Sequence, residues 1–370
     1  MVSTQLRAAA NVTLPTRSPA QLMVDVQGAN LTGVSGTVVE KADLGLPALP
    51  DSLGGDGSSQ LNSLISGSHT LRVWYSGPDK TRVALLGAVG ESDIIRNGND
   101  AWIWSSSGNS AAHFTMNNGA SDSPDSAGSA NPGALPTLSN MPTTPQQAAT
   151  QALAMMGKTT SVSTEPGTQV AGRSAYVLSI APKDTDSLIA RIRVAIDGVA
   201  HVPTQVEVFA KGHPDAAAFS IGFSQVDFAR PDDDRFAFTP PAGAKVTDET
   251  SQQAQALHQA AKPTTAIIGS GWTSVLAARL PDSSAKPTAG SGDAVPGMGA
   301  GAGAGTKSGM SALNGFISAL PQVNGVWGSG RLLQSRLFSV LITDDGRVLV
   351  GAVSGDQLQK AAADPAAALR

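Results

Sequence analysis

At 370 residues and a net charge of −4, the chain offers no basic field for a polyphosphate partner, and its lysines and arginines form no run, which argues against nucleic-acid binding. Cysteine is absent, which excludes disulfides, thiolate metal sites, a cysteine nucleophile and an acylated cysteine at a mature N-terminus. The length suggests about two domains, and no apolar run reaches the roughly eighteen residues that a spanning helix needs.

Residues 1–14 lack the apolar stretch of a signal peptide and read as a flexible segment. Thr16 to Gly28 reads as the first helix, with Ser18 at the N-cap, Pro19 at the first helical position and Gln21 three residues after the cap. Leu22, Met23 and Val26 form its buried stripe, and Gly28 ends it. Leu31 to Lys41 follows as a strand. Ala42 to Gly67 is too rich in Pro, Gly, Asp and Ser for regular structure and reads as a surface insertion.

His69 to Met116 then alternates apolar and polar residues in short runs, each stopped by a Gly, Asn, Asp or Ser cluster, the pattern of an antiparallel meander. Leu71, Val73 and Tyr75 point one way, and Arg72 and Trp74 the other. Gly77-Pro78-Asp79 turns the chain into Arg82 to Leu86, and Glu91 to Arg96 makes a third strand. Asn97-Gly98-Asn99-Asp100 tolerates positive φ and reverses the chain into Ala101 to Trp104, with both indoles on one face. Ala111 to Met116 closes the meander.

Asn117 to Met141 is a loop. Thr144-Pro145-Gln146-Gln147 repeats the capping arrangement of the first helix, and Ala149, Ala152, Leu153, Met155 and Met156 follow at helical spacing. The paired thioethers read either as core filling or as the flexible underside of a cavity lid. Further strands are expected at Ser161 to Thr164, Ala171 to Pro182, Leu188 to Asp197, Thr204 to Lys211 and Ala217 to Phe228. Beyond a helix at Gln252 to Ala261, a second module reads as a strand at Thr264 to Ile268, a turn at Gly269 to Trp272, a helix at Thr273 to Leu280, and a low-complexity, disordered loop over 281–310. It continues with a helix on Leu313, Phe316, Ile317 and Leu320, a hairpin of Arg331 to Thr343 with Arg347 to Val353, and a helix capped by Ser354 that ends in a frayed alanine tail.

Motifs that would carry chemistry fail on spacing. Thr306 stands where a phosphate loop before Lys307-Ser308 requires Gly, and the upstream Gly is missing before Gly157-Lys158-Thr159. His69, His113, His201, His213 and His258 show no metal-ligand spacing and read as surface or turn residues. Asp232-Asp233-Asp234 lacks the spacing of a calcium loop and reads as a solvated turn, and no GxSxG elbow is present. No catalytic residue, cofactor or metal is expected.

Two stretches carry a family resemblance. The RVWYSGPDKTRV hairpin followed by NGNDAWIW resembles the strand region of the LolA-like superfamily, the envelope lipoprotein carriers together with the RseB/MucB sigma-factor regulatory proteins and their actinobacterial relatives. RFAFTPPAGAKV, Arg235 to Val246, is similar to the segment that ends the domain there. The resemblance implies an α+β protein: an incomplete antiparallel barrel of about ten to eleven strands with a helical lid over 15–250, and a small C-terminal α+β module over 251–370. It also implies an extracytoplasmic protein of the periplasm or cell envelope, with its targeting segment removed from this sequence.

The expected function is non-enzymatic binding of a lipoprotein acyl chain or lipid inside the half-barrel. The ligand-facing residues taken from alternation are Val73, Val83, Leu85, Ile94, Trp102, Trp104, Phe114, Leu153 and Met156. Trp102 and Trp104 read either as core or as the lining of an acyl groove. The alternative is a regulator whose C-terminal module engages a membrane-anchored anti-sigma factor or another envelope protein.

Overall fold

The computed structural model describes residues 14–46, 66–87, 90–115, 159–249, 264–279 and 315–368. The chain enters through helix α1 (Pro19–Gly28), where Ser18 accepts from the Gln21 amide and the Gln21 side chain returns to the Ser18 amide. This reciprocal cap is worth about 1 kcal/mol. Leu22 and Val26 are buried on the face turned to the sheet.

The first sheet takes its strands in the order of the chain: β1 (Val34–Ala42), β2 (Gly67–Tyr75), β3 (Lys80–Gly87), β4 (Gly90–Asn97), β5 (Asp100–Ser105), β6 (Ser110–Thr115), β7 (Thr160–Val170), β8 (Arg173–Pro182), β9 (Ile189–Asp197), β10 (Pro203–Ala210), β11 (Ala217–Asp227) and β12 (Lys245–Glu249). In space they run β12-β6-β5-β4-β3-β2-β1-β11-β10-β9-β8-β7. The pairing of β1 with β11 joins the two meanders into one twelve-stranded array that does not close. Against an expectation of about ten to eleven antiparallel strands, the last strand of this sheet, β12, pairs in parallel with β6.

Directly opposed residues in a ladder share a face. One face therefore carries Val38, Leu71, Val73, Val83 and Leu85 on the first meander, and Phe223, Ile221, Val206, Val194, Ile192, Leu178 and Ile180 on the second. These residues form one core with Leu22 and Val26 of α1, so this is the inner face. Gly36 stands in line with Val34 and Val38 but carries no side chain, because a Cβ there would lie 2.9 Å from the Phe223 ring and 2.2 Å from the Gln225 carbonyl.

The second sheet, with its own core, contains β13 (Thr265–Ile268), β14 (Val275–Arg279), β15 (Gln322–Gly325), β16 (Gly328–Gln334), β17 (Ser339–Thr343) and β18 (Arg347–Gly351), in the order β13-β14-β18-β17-β16-β15. Three expectations need correction. Thr273 to Leu280 is not a helix: a 3-10 turn at Gly271–Thr273 leads into β14, whose Val275 and Ala277 are buried on one face. Arg331 to Thr343 is not one strand, since Ser335 accepts from the amides of Leu337 and Phe338 and turns β16 into β17. The alanine tail after α2 (Gly355–Ala362) is not frayed: Ala367 is buried and its carbonyl accepts from the buried Arg347 guanidinium, which also holds the carbonyls of Ala362 and Trp327.

The two sheets meet at one end of the first sheet's strands. Trp272 packs on the first core and donates from Nε1 to Thr160 Oγ1 at 2.8 Å. The Leu188 amide donates to the Ala352 carbonyl at 2.7 Å, Gln357 to Asp186 at 3.0 Å, and the Arg336 amide to the Leu44 carbonyl at 2.8 Å, with an Arg336–Asp43 ion pair beside it.

Candidate functional site: the inner face of the first meander

Three rows of opposed residues cross the inner face of β2 to β6. The middle row runs Val73, Val83, Ile94, Ile103, Ala112. Val73 and Val83 lie under the core at 2% and 7% exposure, but Ile94 and Ile103 are 36% and 38% exposed, so the apolar row runs out from beneath its cover. On one side lies Leu71, Leu85, Ser92, Ser105, Ser110, where apolar gives way to hydroxyl. On the other lies Tyr75, Thr81, Arg96, Ala101, Phe114.

The inner face also holds a charged pair. Glu40, opposite Ile221 and His69, is buried, and its Oε2 is 2.9 Å from His69 Nδ1. Burial pushes the Glu40 carboxyl up, against the lowering effect of the imidazole. The pair sits three residues before Asp43, at the end where the second sheet docks.

The outer face of the same strands is built differently. Its rows are Trp74, Arg82, Ile95, Trp102, His113, Asp248 and Arg72, Ala84, Asp93, Trp104, Ala111, Val246. The chain between β11 and β12 crosses this face as a strap. Asp233 pairs with Lys80 at 2.7 Å, the Arg235 carbonyl accepts from Arg82, Phe236 is fully buried, and Phe238 lies 5.4 Å from Trp102 and 5.8 Å from Trp104, centroid to centroid. Asn109 donates to the Gly243 carbonyl at 3.0 Å and delivers the strap into β12. Beneath it Arg82 is ion-paired with buried Asp93 and lies over the Trp74 ring. Burial, with Glu91 adding to it and Arg82 opposing it, raises the Asp93 carboxyl to about 6.

The register therefore divides the residues expected from the sequence. Val73, Val83, Leu85, Ile94 and Phe114 share the inner face. Trp102 and Trp104 do share a face with each other, but it is the outer one, where Phe238 covers them. Leu153 and Met156, with the expected lid helix, lie outside the described residues. Ile103 and Arg96, not anticipated, join the inner set. The Gly-Asn loop that pairs Asn97 with Asp100 signals both, because it sets Ile103 opposite Ile94 and Ala101 opposite Arg96.

No family model and no curated protein matches the chain. Among solved structures, the MucA/MucB complex of Pseudomonas aeruginosa aligns over 93% of this chain and 96% of that chain at 13% identity and a TM-score of 0.42. A LolA superfamily protein from Nitrosomonas europaea aligns over 60% and 99%, at 9% identity and 0.24. A putative outer membrane lipoprotein-sorting protein domain from Vibrio parahaemolyticus aligns over 58% and 94%, at 9% and 0.23. The chain resembles MucB and LolA-superfamily structures.

Proposed function

We propose that this is a non-enzymatic protein of the cell envelope that holds an acyl chain of a lipoprotein or lipid against the inner face of its half-barrel, in a ligand-binding domain over residues 15–250. The observation that carries this reading is the uncovered end of the middle row, where Ile94 and Ile103 stand exposed in register with buried Val83 and Val73. Covering such a row with hydrocarbon is favourable by about 0.8 kcal/mol per methylene withdrawn from water, without a catalytic group or a metal. Phe114 and Leu85 flank the row on the same face. Trp102 and Trp104 support the wall from behind.

Native mass spectrometry before and after delipidation, with uptake of a fluorescent fatty acid, tests this. The reading expects a hydrocarbon adduct, and a several-fold loss of uptake in the Ile94→Ser/Ile103→Ser variant without loss of the far-ultraviolet circular dichroism spectrum. Absence of adduct and of uptake by the native chain would sink it.

A second reading is favoured by the six-stranded module at 265–368, which a simple carrier does not need. In it the half-barrel senses an envelope ligand and the module binds a membrane-anchored anti-sigma factor, as the resemblance to RseB/MucB proteins implies. Trp272, packed against the core of the first sheet, gives a route by which occupancy on one side is felt on the other. Co-purification of an envelope partner that depends on residues 265–368 and is altered by fatty acid would support it, and capture indifferent to both would count against it.

A further inference from the structure

On the inner face of β2 to β6 the register leaves two basic side chains, His69 and Arg96. His69 is joined to Glu40 at the far end. Arg96 stands on the row beside Ile94 and Ile103, two residues along β4 from Ile94, about 7 Å away. Its guanidinium lies at the rim formed by the β2–β3 and β4–β5 turns, where Nε donates to the Gly98 carbonyl and Nη2 contacts Asp79, both at 3.3 Å. The Arg96 side chain is 36% exposed and Asp79 69% exposed. An ion pair so open to water holds its partner weakly and leaves guanidinium N–H groups for a second anion. On the same row a carboxylate, Glu249, comes only at β12, three strands away, about 14 Å at the interstrand spacing.

We propose that the ligand of the inner face is an anionic amphiphile, its hydrocarbon on Ile94 and Ile103 and its carboxylate or phosphate head on Arg96, displacing Asp79. This rests on the apolar-ligand reading above and adds to it the polarity and direction of the guest. Arginine suits the role because its planar fork presents paired donors to either oxyanion. The serines of the opposite row, Ser92 and Ser105, are buried and give the head no comparable charge, so the guest is oriented with its head at the rim.

Calorimetric titration of the delipidated full chain with dodecanoate, dodecyl phosphate, dodecyl maltoside and dodecyltrimethylammonium, each below its micelle concentration, tests this. The two anionic detergents are expected to bind about tenfold or more tightly than the maltoside, the worth of one charge-assisted hydrogen bond. Arg96→Gln is expected to erase that margin with maltoside affinity unchanged, and Asp79→Asn, a change in an exposed turn, to widen it. If one anionic head alone shows the margin, that head identifies the ligand's source. Equal binding of all four, unaltered by either substitution, or preference for the cationic head, overturns the assignment of Arg96 and leaves the apolar reading standing. Failure of all four to bind overturns the apolar reading itself.

Discussion

The Trp102 indole and the His113 imidazole lie stacked, ring centroids 4.2 Å apart and 20° from parallel. The stack fixes the imidazole so that one nitrogen meets Asp100 of β5 at 3.0 Å and the other meets Asp248 of β12 at 3.2 Å. His113 thus fastens the parallel edge strand to the meander. His113→Ala is expected to loosen residues 245–249, with a loss of about 1 kcal/mol, which is roughly fivefold faster amide exchange there. Hydrogen-exchange mass spectrometry reads this directly, and unaltered exchange of β12 would show that its backbone pairing alone holds it.

Asp93 gives the outer face a signature in pH. Its folded-state pKa, about 6, lies above the usual aspartate value near 3.9. The folded chain therefore takes up the proton first, and the group's contribution to stability is complete below the unfolded pKa and lost as pH rises through about 6. Asp93→Asn removes this dependence. Between pH 8 and pH 5 the native protein should gain roughly 1–1.5 kcal/mol more stability than the variant. Thermal melts of both proteins across that range check it, and parallel curves would mean that Arg82 holds the carboxylate charged throughout.

Trp104→Ala separates the two faces. Phe238 and the strap lose part of their packing, and a half-buried indole should cost about 2–3 kcal/mol. Fatty-acid affinity per folded molecule should not change, since the indole is on the far side of the sheet from Ile94 and Ile103. A fall in affinity with the fold intact would contradict the division of faces.

Trp272 belongs to the second sheet's segment yet packs against the first sheet's core. Trp272→Ala should cost about 3 kcal/mol and uncouple the sheets, turning one calorimetric unfolding transition into two. A single transition at the native temperature would show that the Leu188, Arg336 and Gln357 contacts suffice to join them.

Local chemistry made much of this fold legible. Ser18-Pro19-Ala20-Gln21 predicts the capping box that forms, and alternation around the Asn97-Gly98-Asn99-Asp100 turn predicts β4 and β5. The same turn contained more than alternation alone extracts. Once Asn97 pairs with Asp100, Ile103 must face with Ile94 and both indoles must face away. Val275 to Arg279 is too short for periodicity to separate strand from helix, and its pairing with β18, far along the chain, decided the matter. The strap over 228–244 has no period to read. Its Asp and Pro residues spell a loop, and only the aromatic partners it reaches across the sheet reveal that it is packed.

The parallel partner of β6 arrives late. His113 and Asp248 are 135 positions apart, and β7 to β11 must all be made between them. Until they are, β6 has an open edge of unpaired amides and carbonyls during synthesis, the kind of edge that recruits other chains. The sheet is completed like a belt whose buckle is the last piece issued, and closing so long a loop slows folding. Chains that stop short of Lys245 should accordingly gather into aggregates, even though nearly all of the half-barrel's strands have been synthesised.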